Sequence, residues 1–159
     1  MQQLQNINYG PKTRISKEIH ELKYRSSGES FEEAQYRFAS TLADDSNHYK
    51  RCCDILLNQR FMGGGRTQLA IGSPTQTTAF NCFVSRTIED SFDSIMDTVK
   101  EAGKTMRRGG GIGYDFSTIR PRGSLIKSLG SNSSGPVSFM KIFDSTCKTV
   151  SSAGHRRGM

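Results

Sequence analysis

A chain of 159 residues, of which 34% are apolar and none is tryptophan, is long enough for one compact domain with a modest core, which excludes a large multidomain protein. Its 22 lysine and arginine residues outnumber 15 acidic residues, and the net charge of +7 favours phosphate-bearing partners, either nucleotides or nucleic acid. The apolar runs are too short to span a membrane and no apolar signal segment follows Met1, so we expect a cytoplasmic protein without a membrane partner.

The first 62 residues predict a tail followed by three helices. Residues 1–15 are expected to form a flexible tail that ends soon after Gly10 and Pro11, and residues 16–62 to form a helical domain. Ser30 and Glu33 have the spacing of a capping box, and the third helix follows Ser46 and ends at the glycine run 63–65. The predicted apolar faces are, in order, Ile15, Ile19 and Leu22; Phe31, Ala34, Phe38 and Leu42; and Tyr49, Cys52, Cys53, Leu56 and Leu57.

From Thr67 onward the pattern predicts strands that alternate with helices. Short Thr-rich apolar segments predict strands at 69–71 and 77–84, and a further strand is predicted at 112–116. A long Gly/Ser loop is expected at 120–134, before a helix that begins at Pro136. The two predicted helix faces are Phe92, Ile95, Met96, Val99, Ala102 and Met106, and Met140, Phe143, Cys147 and Val150. This alternation indicates parallel strands with crossover helices, in an open sheet or part of a barrel.

The four cysteines match no metal-binding pattern. No C-x-x-C pair or zinc-ligand spacing links Cys52, Cys53, Cys82 and Cys147 with His20, His48 and His155, so no metal is expected. Free, buried thiols are the ordinary interpretation, and for Cys82, in a predicted strand, a structural thiol is weighed against redox chemistry.

Two glycine-containing motifs fail as phosphate loops. GKT at 103–105 lacks the glycine that a phosphate loop needs five residues earlier, and GGGIG at 109–113 precedes a strand instead of following one. The glycine run is therefore either the end of a helix with a tight turn or a close-approach surface for a ligand.

A cationic loop is a better candidate for binding phosphate. Arg120, Arg122 and Lys127 lie on a segment stiffened by proline and glycine, and arginine offers paired donors to phosphate oxygens. Arg156 and Arg157 form a second basic loop at the end of the chain, where the fold is expected to be interrupted. The alternative for both segments is an ordinary solvated loop.

Several motifs, in this order and spacing, resemble the large subunit of ribonucleotide reductases. They are FNCFV at 80–84, IEDSFDSI at 88–95, RRGGGIGYDFS at 107–117, IRPRG at 119–123, SGPVSFM at 134–140 and SAGHRRG at 152–158. The resemblance covers residues 16–159, although Gly63 stands where relatives commonly carry proline. It implies an α/β fold in which an N-terminal helical domain precedes the first part of a ten-stranded α/β barrel, at 63–159, which is incomplete in this chain.

The resemblance also implies roles for individual residues at a substrate site. Cys82 is expected to reduce the ribose during removal of the 2′-hydroxyl and then to form a disulfide with a distant cysteine. Thr67 is expected near the substrate phosphate, Asn81 beside the ribose, and Gly111 where a bare backbone allows the substrate to approach.

A second implied site binds the specificity effector, a deoxynucleoside triphosphate or ATP. The matching positions are Asp90, Ser91, Phe92, Arg120 and Lys127, next to helices that are expected to form a homodimer interface. Arg157 falls in the loop that is expected to pass the identity of the effector to the substrate site.

The rest of the family's machinery has no counterpart in this sequence. The radical-forming cysteine, the disulfide partner of Cys82 and the ATP cone are missing, so we expect a C-terminal remainder of the reductase to be supplied by association or splicing. The implied cofactor is adenosylcobalamin or a separate metal-containing radical subunit, with thioredoxin or glutaredoxin as reductant and a ribonucleotide as substrate. The alternatives are a basic nucleic-acid-binding module, and an inactive fragment that binds effector and dimerises.

Overall fold

The structure is a computed structural model that describes residues 9–150, and these residues form two compact units, 9–79 and 80–150. The composition predicted one compact domain, and the resemblance placed a boundary at residues 62 and 63. The observed boundary lies at Ala79 and Phe80 because the short helix after the glycine run packs against the first helix.

The first unit consists of four helices. They are α1 (Arg14–Tyr24), α2 (Phe31–Leu42), α3 (Ser46–Leu57) and α4 (Gly65–Ala70). Side-chain oxygens cap the first three helices at Thr13, Ser30 and Asp45. The predicted capping box is confirmed, since the Glu33 amide donates to Ser30 Oγ at 3.1 Å and the Ser30 amide donates to Glu33 Oε2 at 2.7 Å.

The core of the first unit lies between α2 and α3. It is formed by Phe38, Ala39 and Leu56, with Cys52 and Cys53 half-buried beside them. The predicted face of α1 is wrong: Ile15 and Leu22 are 66% and 61% exposed, whereas His20 on the other side of the helix is buried.

The strand predicted at 69–71 is wrong, because residues 65–70 form α4. Two hydrogen bonds from the Arg37 guanidinium explain the difference: Nη2 donates to the Gln68 carbonyl at 3.1 Å, and Nη1 donates to the Ile71 carbonyl. These tertiary hydrogen bonds override the weak β preference of the local sequence. The strand predicted at 77–84 is reduced to its last three residues.

The second unit is built on one parallel strand–helix–strand arrangement. It comprises β1 (Cys82–Val84), α5 (Phe92–Arg107) and β2 (Gly111–Gly113), followed by the antiparallel pair β3 (Leu125–Ile126) and β4 (Ser131–Asn132), and by α6 (Pro136–Thr149). The parallel pairing with a crossover helix confirms the predicted connection. The loop predicted at 120–134 instead contains a short hairpin, and β2 ends earlier than predicted.

The core of the second unit explains the early end of β2. Ile88, Ile95, Val99, Ile119 and Phe143 are buried together, and Tyr114 and Phe116 leave the strand direction to pack on Phe143. On α5 the predicted face is confirmed for Ile95, Val99, Ala102 and Met106, which are buried, and is wrong for Phe92 and Met96, which are exposed. Ser94 and Thr98 are buried in addition. On α6, Phe143 is buried but Met140 is exposed.

Within residues 9–150 the strands form two separate two-stranded sheets and no closed barrel. In the same part of the chain, no helix has both the length and the apolar character that crossing a membrane requires. The basic loop with Arg156 and Arg157 lies outside the described residues.

Candidate functional site

The parallel pairing of β1 and β2 brings three of the predicted substrate-site residues together. Cys82 and Gly111 are Cα partners in the ladder, and the Gly111 amide donates to the Asn81 carbonyl at 2.8 Å. Cys82 is exposed, which corrects the expectation of a buried thiol. A thiol, a side-chain amide and a glycine backbone are therefore neighbours at the start of both strands.

The glycine run before β2 acts as a helix end and turn. Gly109 has a φ of 81°, and its amide donates to the Met106 carbonyl at 2.8 Å while the Gly110 amide donates to the Thr105 carbonyl at 3.1 Å. This pair of hydrogen bonds is a Schellman motif, which ends α5 and directs the chain into β2. The helix-end interpretation of the run is thus confirmed for Gly109 and Gly110.

Close packing holds the turn against β1. A Cβ atom added at Gly110 would lie 2.6 Å from Phe83 Cε2 and 3.1 Å from Thr105 Cγ2. Phe83 is the residue after Cys82, so the position of the candidate redox thiol depends on a contact that only glycine permits.

Thr67, the fourth predicted substrate-site residue, lies in α4 of the first unit. It is half-buried, and its Oγ1 donates to the Ala79 carbonyl at 3.4 Å. Gly63, which departs from the family's pattern, is buried nearby against Phe38: a Cβ atom there would lie 3.2 Å from Phe38 Cζ.

Two of the predicted effector residues, Asp90 and Arg120, meet just before the start of α5. Arg120 Nε donates to Asp90 Oδ2 at 2.6 Å, and Arg120 Nη1 donates to the Leu125 carbonyl at 3.4 Å. Each side chain of the pair is 34% exposed, so the ion pair contributes at most about 1 kcal/mol to stability. Its main effect is to hold two segments together, because Arg120 links Asp90, just before α5, to Leu125 at the start of β3.

The remaining effector candidates follow Asp90 or Arg120 within a few residues of the sequence. Ser91 is the N-cap of α5 and accepts from the Ser94 amide at 3.2 Å. Phe92 is 68% exposed on the first turn of α5. Lys127 is exposed directly after β3, where its ammonium group is available to an anion. Arg157 lies outside the described residues.

Two titratable groups follow β2. Burial, with a smaller effect of Cys147, raises the pKa of Tyr114 to about 12, so its hydroxyl is neutral in the physiological range. Hydrogen bonds from the Ser117 side chain and amide lower the pKa of Asp115, which keeps that carboxylate charged.

Sequence reasoning assigned nothing to His20 and did not single out Gln68. His20 is 5% exposed and Gln68 is 6% exposed, and His20 Nε2 lies 3.3 Å from Gln68 Oε1. The sequence signal for His20 is its helical spacing with Tyr24, whose ring it contacts. Across residues 9–150 no group of three or more potential metal ligands comes together.

Comparison with known proteins identifies one family. Residues 80–159 match the barrel domain of ribonucleotide reductases. The vitamin B12-dependent ribonucleoside-diphosphate reductase of Mycobacterium tuberculosis is 41% identical over 109 residues, which is 69% of this chain and 16% of that protein. The protein of the same name from Thermoplasma acidophilum is 35% identical over 123 residues, which is 76% of this chain and 16% of that protein.

The fold is similar to that of a solved reductase subunit. The class Id ribonucleotide reductase alpha subunit of Actinobacillus ureae superposes with a TM-score of 0.76 at 26% identity, covering 87% of this chain and 26% of that subunit. The chain thus spans about a sixth of the length of the two curated relatives.

Proposed function

The chain belongs to the ribonucleotide reductase large-subunit family, and we propose that it contributes a redox cysteine, part of the substrate site and the specificity site to an enzyme that converts ribonucleotides to 2′-deoxyribonucleotides. The observation that carries this proposal is the register of β1 and β2, which sets Cys82 opposite Gly111 and next to Asn81. We also propose that the β1–α5–β2 unit belongs to a ten-stranded barrel, in a cytoplasmic enzyme.

The role proposed for Cys82 is that of one half of a dithiol. Two thiols give up two electrons and two protons, the 2′-hydroxyl leaves as water, and the two sulfurs form a disulfide. Thioredoxin or glutaredoxin would then reduce the disulfide. The exposure of Cys82 supports this role, because a thiol must reach both a sugar and a second sulfur.

The radical source proposed for the complete enzyme is adenosylcobalamin, since both curated relatives are named as vitamin B12-dependent. His20 is buried against Gln68 and does not fit a cobalt ligand, and no group of three or more potential metal ligands comes together in residues 9–150. We therefore assign no step of the cofactor's chemistry to residues 9–150.

The effector site proposed around Asp90 and Arg120 would bind a deoxynucleoside triphosphate or ATP. Asp90 can accept from a sugar hydroxyl or a base, and Arg120 and Lys127 can donate to phosphate oxygens. The ion pair between Asp90 and Arg120 supports the proposal because it fixes the two side chains relative to each other.

The dimer interface proposed for the same unit would use α5 and α6. These helices pack together and leave apolar side chains exposed on each, Phe92 and Met96 on α5 and Val137 and Met140 on α6. Exposed apolar side chains clustered on adjacent elements are typical of protein interfaces.

Calorimetric titration of the chain with dTTP, dGTP, dATP and ATP at two salt concentrations tests the effector site. We expect saturable binding that differs among the nucleotides. Arg120→Ala removes charge-assisted hydrogen bonds and should weaken binding by roughly ten- to a hundredfold. Arg14→Ala is the matched control, because it removes the same charge from a side chain that is 93% exposed in the other unit.

The other outcomes decide between the proposals. Binding that is equal for all nucleotides, falls steeply with salt and responds equally to both substitutions favours a nucleic-acid-binding module. Absence of binding by the unaltered chain counts against an effector site formed by this chain. In a complete reductase that contains this sequence, Cys82→Ser should abolish turnover and leave effector binding intact; retained turnover would favour the inactive binding fragment.

A further inference from the structure

His20 is buried between aromatic rings and has one polar partner. Its ring lies 5.7 Å from that of Tyr24 and 5.1 Å from that of Phe31, between ring centroids. Its Nε2 faces Gln68 Oε1 at 3.3 Å, whereas its Nδ1 is buried without a hydrogen-bond partner. A polar side chain that is this buried and has a single partner indicates a specific positional role.

The hydrogen bonds of Gln68 determine which nitrogen of His20 carries the proton. Gln68 Nε2 donates to the Gly63 carbonyl at 2.6 Å, so the carbonyl end of the Gln68 amide faces His20. An amide oxygen only accepts, and therefore His20 Nε2 is the donor and His20 is a neutral Nε2–H tautomer. The bare Nδ1 lone pair agrees with this assignment.

This chain of hydrogen bonds fixes one side of the segment that contains Thr67. His20 holds Gln68, Gln68 holds the Gly63 carbonyl, and residues 63–68 lie between these two points. Arg37 fixes the other side by donating to the Gln68 carbonyl at 3.1 Å and is itself paired with Glu29 at 2.7 Å. Thr67 is thus held between α1 and α2.

Protonation of His20 would disturb this arrangement. A charged imidazole carries a second N–H at Nδ1, where the buried surroundings offer no acceptor. Burial lowers the pKa of His20 below its ordinary 6.5, and the nearby Arg25 acts in the same direction, while Gln68 and Glu29 oppose the shift. The Nε2–H donor exists in both forms of the ring, but the charged form adds a buried Nδ1–H without an acceptor, so the buried position of His20 is favourable at neutral pH and unfavourable in acid.

We propose that His20 is a positioning residue that, through Gln68, holds residues 63–67 in place for the phosphate of the nucleotide substrate. This inference rests on the proposed function of Thr67. The hydrogen bonds from His20 to Gln68 and from Gln68 to the Gly63 carbonyl lie within this chain, so their effect can be measured without substrate.

Two substitutions at His20 separate the hydrogen bond from packing and charge. His20→Phe keeps an aromatic ring beside Tyr24 and Phe31 but removes the donor. His20→Gln places an amide donor at the position of Nε2 and cannot titrate. Gln68→Met is a further variant that keeps side-chain length and removes both hydrogen bonds, in case the aromatic replacement does not fold.

Amide hydrogen exchange of the full chain between pH 5 and 8, corrected for intrinsic rates, measures how firmly residues 64–68 are held. We expect the amides of residues 64–68 to lose protection as pH falls below 6.5 in the unaltered chain. His20→Phe should lose roughly three- to tenfold protection at neutral pH, and His20→Gln should keep protection and lose its pH dependence. Equal protection in all three proteins at every pH would overturn the proposal.

Kinetics of a complete reductase with the same substitutions test the link to substrate. His20→Phe should raise KM roughly three- to tenfold with little change in kcat, and His20→Gln should restore KM. An unchanged KM in an active enzyme overturns the substrate role of His20. No turnover by the unaltered enzyme counts against the proposed function instead, and hydrogen exchange still decides whether His20 positions the segment.

Discussion

Replacement of Gly110 by alanine tests the contact that places Cys82 opposite Gly111. The new Cβ would lie 2.6 Å from Phe83 Cε2 and 2.8 Å from Phe83 Cδ2, well inside van der Waals contact. Phe83 must therefore move. Because Phe83 is the middle residue of β1 and pairs with Ile112, its movement disturbs the strand on both sides. We expect the β1–β2 ladder to weaken before any other part of the second unit.

The magnitude follows from known costs of crowding. Overpacking by one methyl group in a well-packed site costs about 1–3 kcal/mol, against which alanine gains about 0.4–1 kcal/mol by restricting the unfolded chain. A net loss of about 1–2 kcal/mol in the free energy of unfolding is expected. Gly113→Ala is the matched control, because a Cβ there has no atom within 4 Å and the same change should be neutral or slightly stabilising.

Urea unfolding followed by circular dichroism measures the difference between the two variants. Because the chain has two compact units, amide exchange at residues 82–84 and 111–113 should accompany it, so that the loss is located in the second unit. Equal stability of Gly110→Ala and Gly113→Ala would refute the conclusion that this contact fixes the register.

Two further changes test local features of each unit. Ser30→Ala removes the side-chain acceptor of the capping box and should lower the free energy of unfolding by about 1 kcal/mol in chemical denaturation, an effect that Ser27→Ala, outside the helix, should not reproduce. Tyr114→Phe should remove a tyrosine ionisation near pH 12 from an absorbance titration. Folding raises the pKa of Tyr114, so the stability linked to its neutral hydroxyl is present below pH 10 and is lost as the pH rises towards 12. The unaltered chain should therefore lose stability more steeply than the variant in this pH range.

Local signals predicted the features that depend on neighbouring residues. The capping box at Ser30 needs only two side chains three positions apart, and the end of α5 at Gly109 needs only a residue that tolerates positive φ. The parallel connection of β1 and β2 also followed from order alone, since a 16-residue helix between two strands allows them to run in the same direction.

The features that failed depend on contacts far along the chain. Residues 69–71 have the composition of a strand, but Arg37 donates to the Gln68 carbonyl just before them and to the Ile71 carbonyl at their end, which the local sequence does not reveal. The apolar stripe of α1 predicts its buried face, whereas aromatic rings and Gln68 bury His20 on the opposite side. In both cases one polar side chain with distant partners decides the outcome.

The candidate site could be predicted only as a set of positions. The resemblance named Asp90 and Arg120, and the structure adds that Arg120 Nε donates to Asp90 Oδ2 at 2.6 Å. A triphosphate at this site must therefore compete with, or extend, an existing ion pair. That relation comes from the folded loop and has no counterpart in the spacing of the sequence.

A single helix positions both candidate sites of the second unit. The N-cap of α5 directly follows Asp90, and the turn after its C-terminal end leads to Gly111, which pairs with Cys82. The two ends of this 16-residue helix are about 24 Å apart. Thr98 and Ala102 on the inner face of α5 are fully buried, so the helix is packed against the rest of the unit. We expect a substitution on that face to affect both ends of the helix, and therefore both the proposed effector site and the position of Cys82, whereas changes confined to one end should act independently.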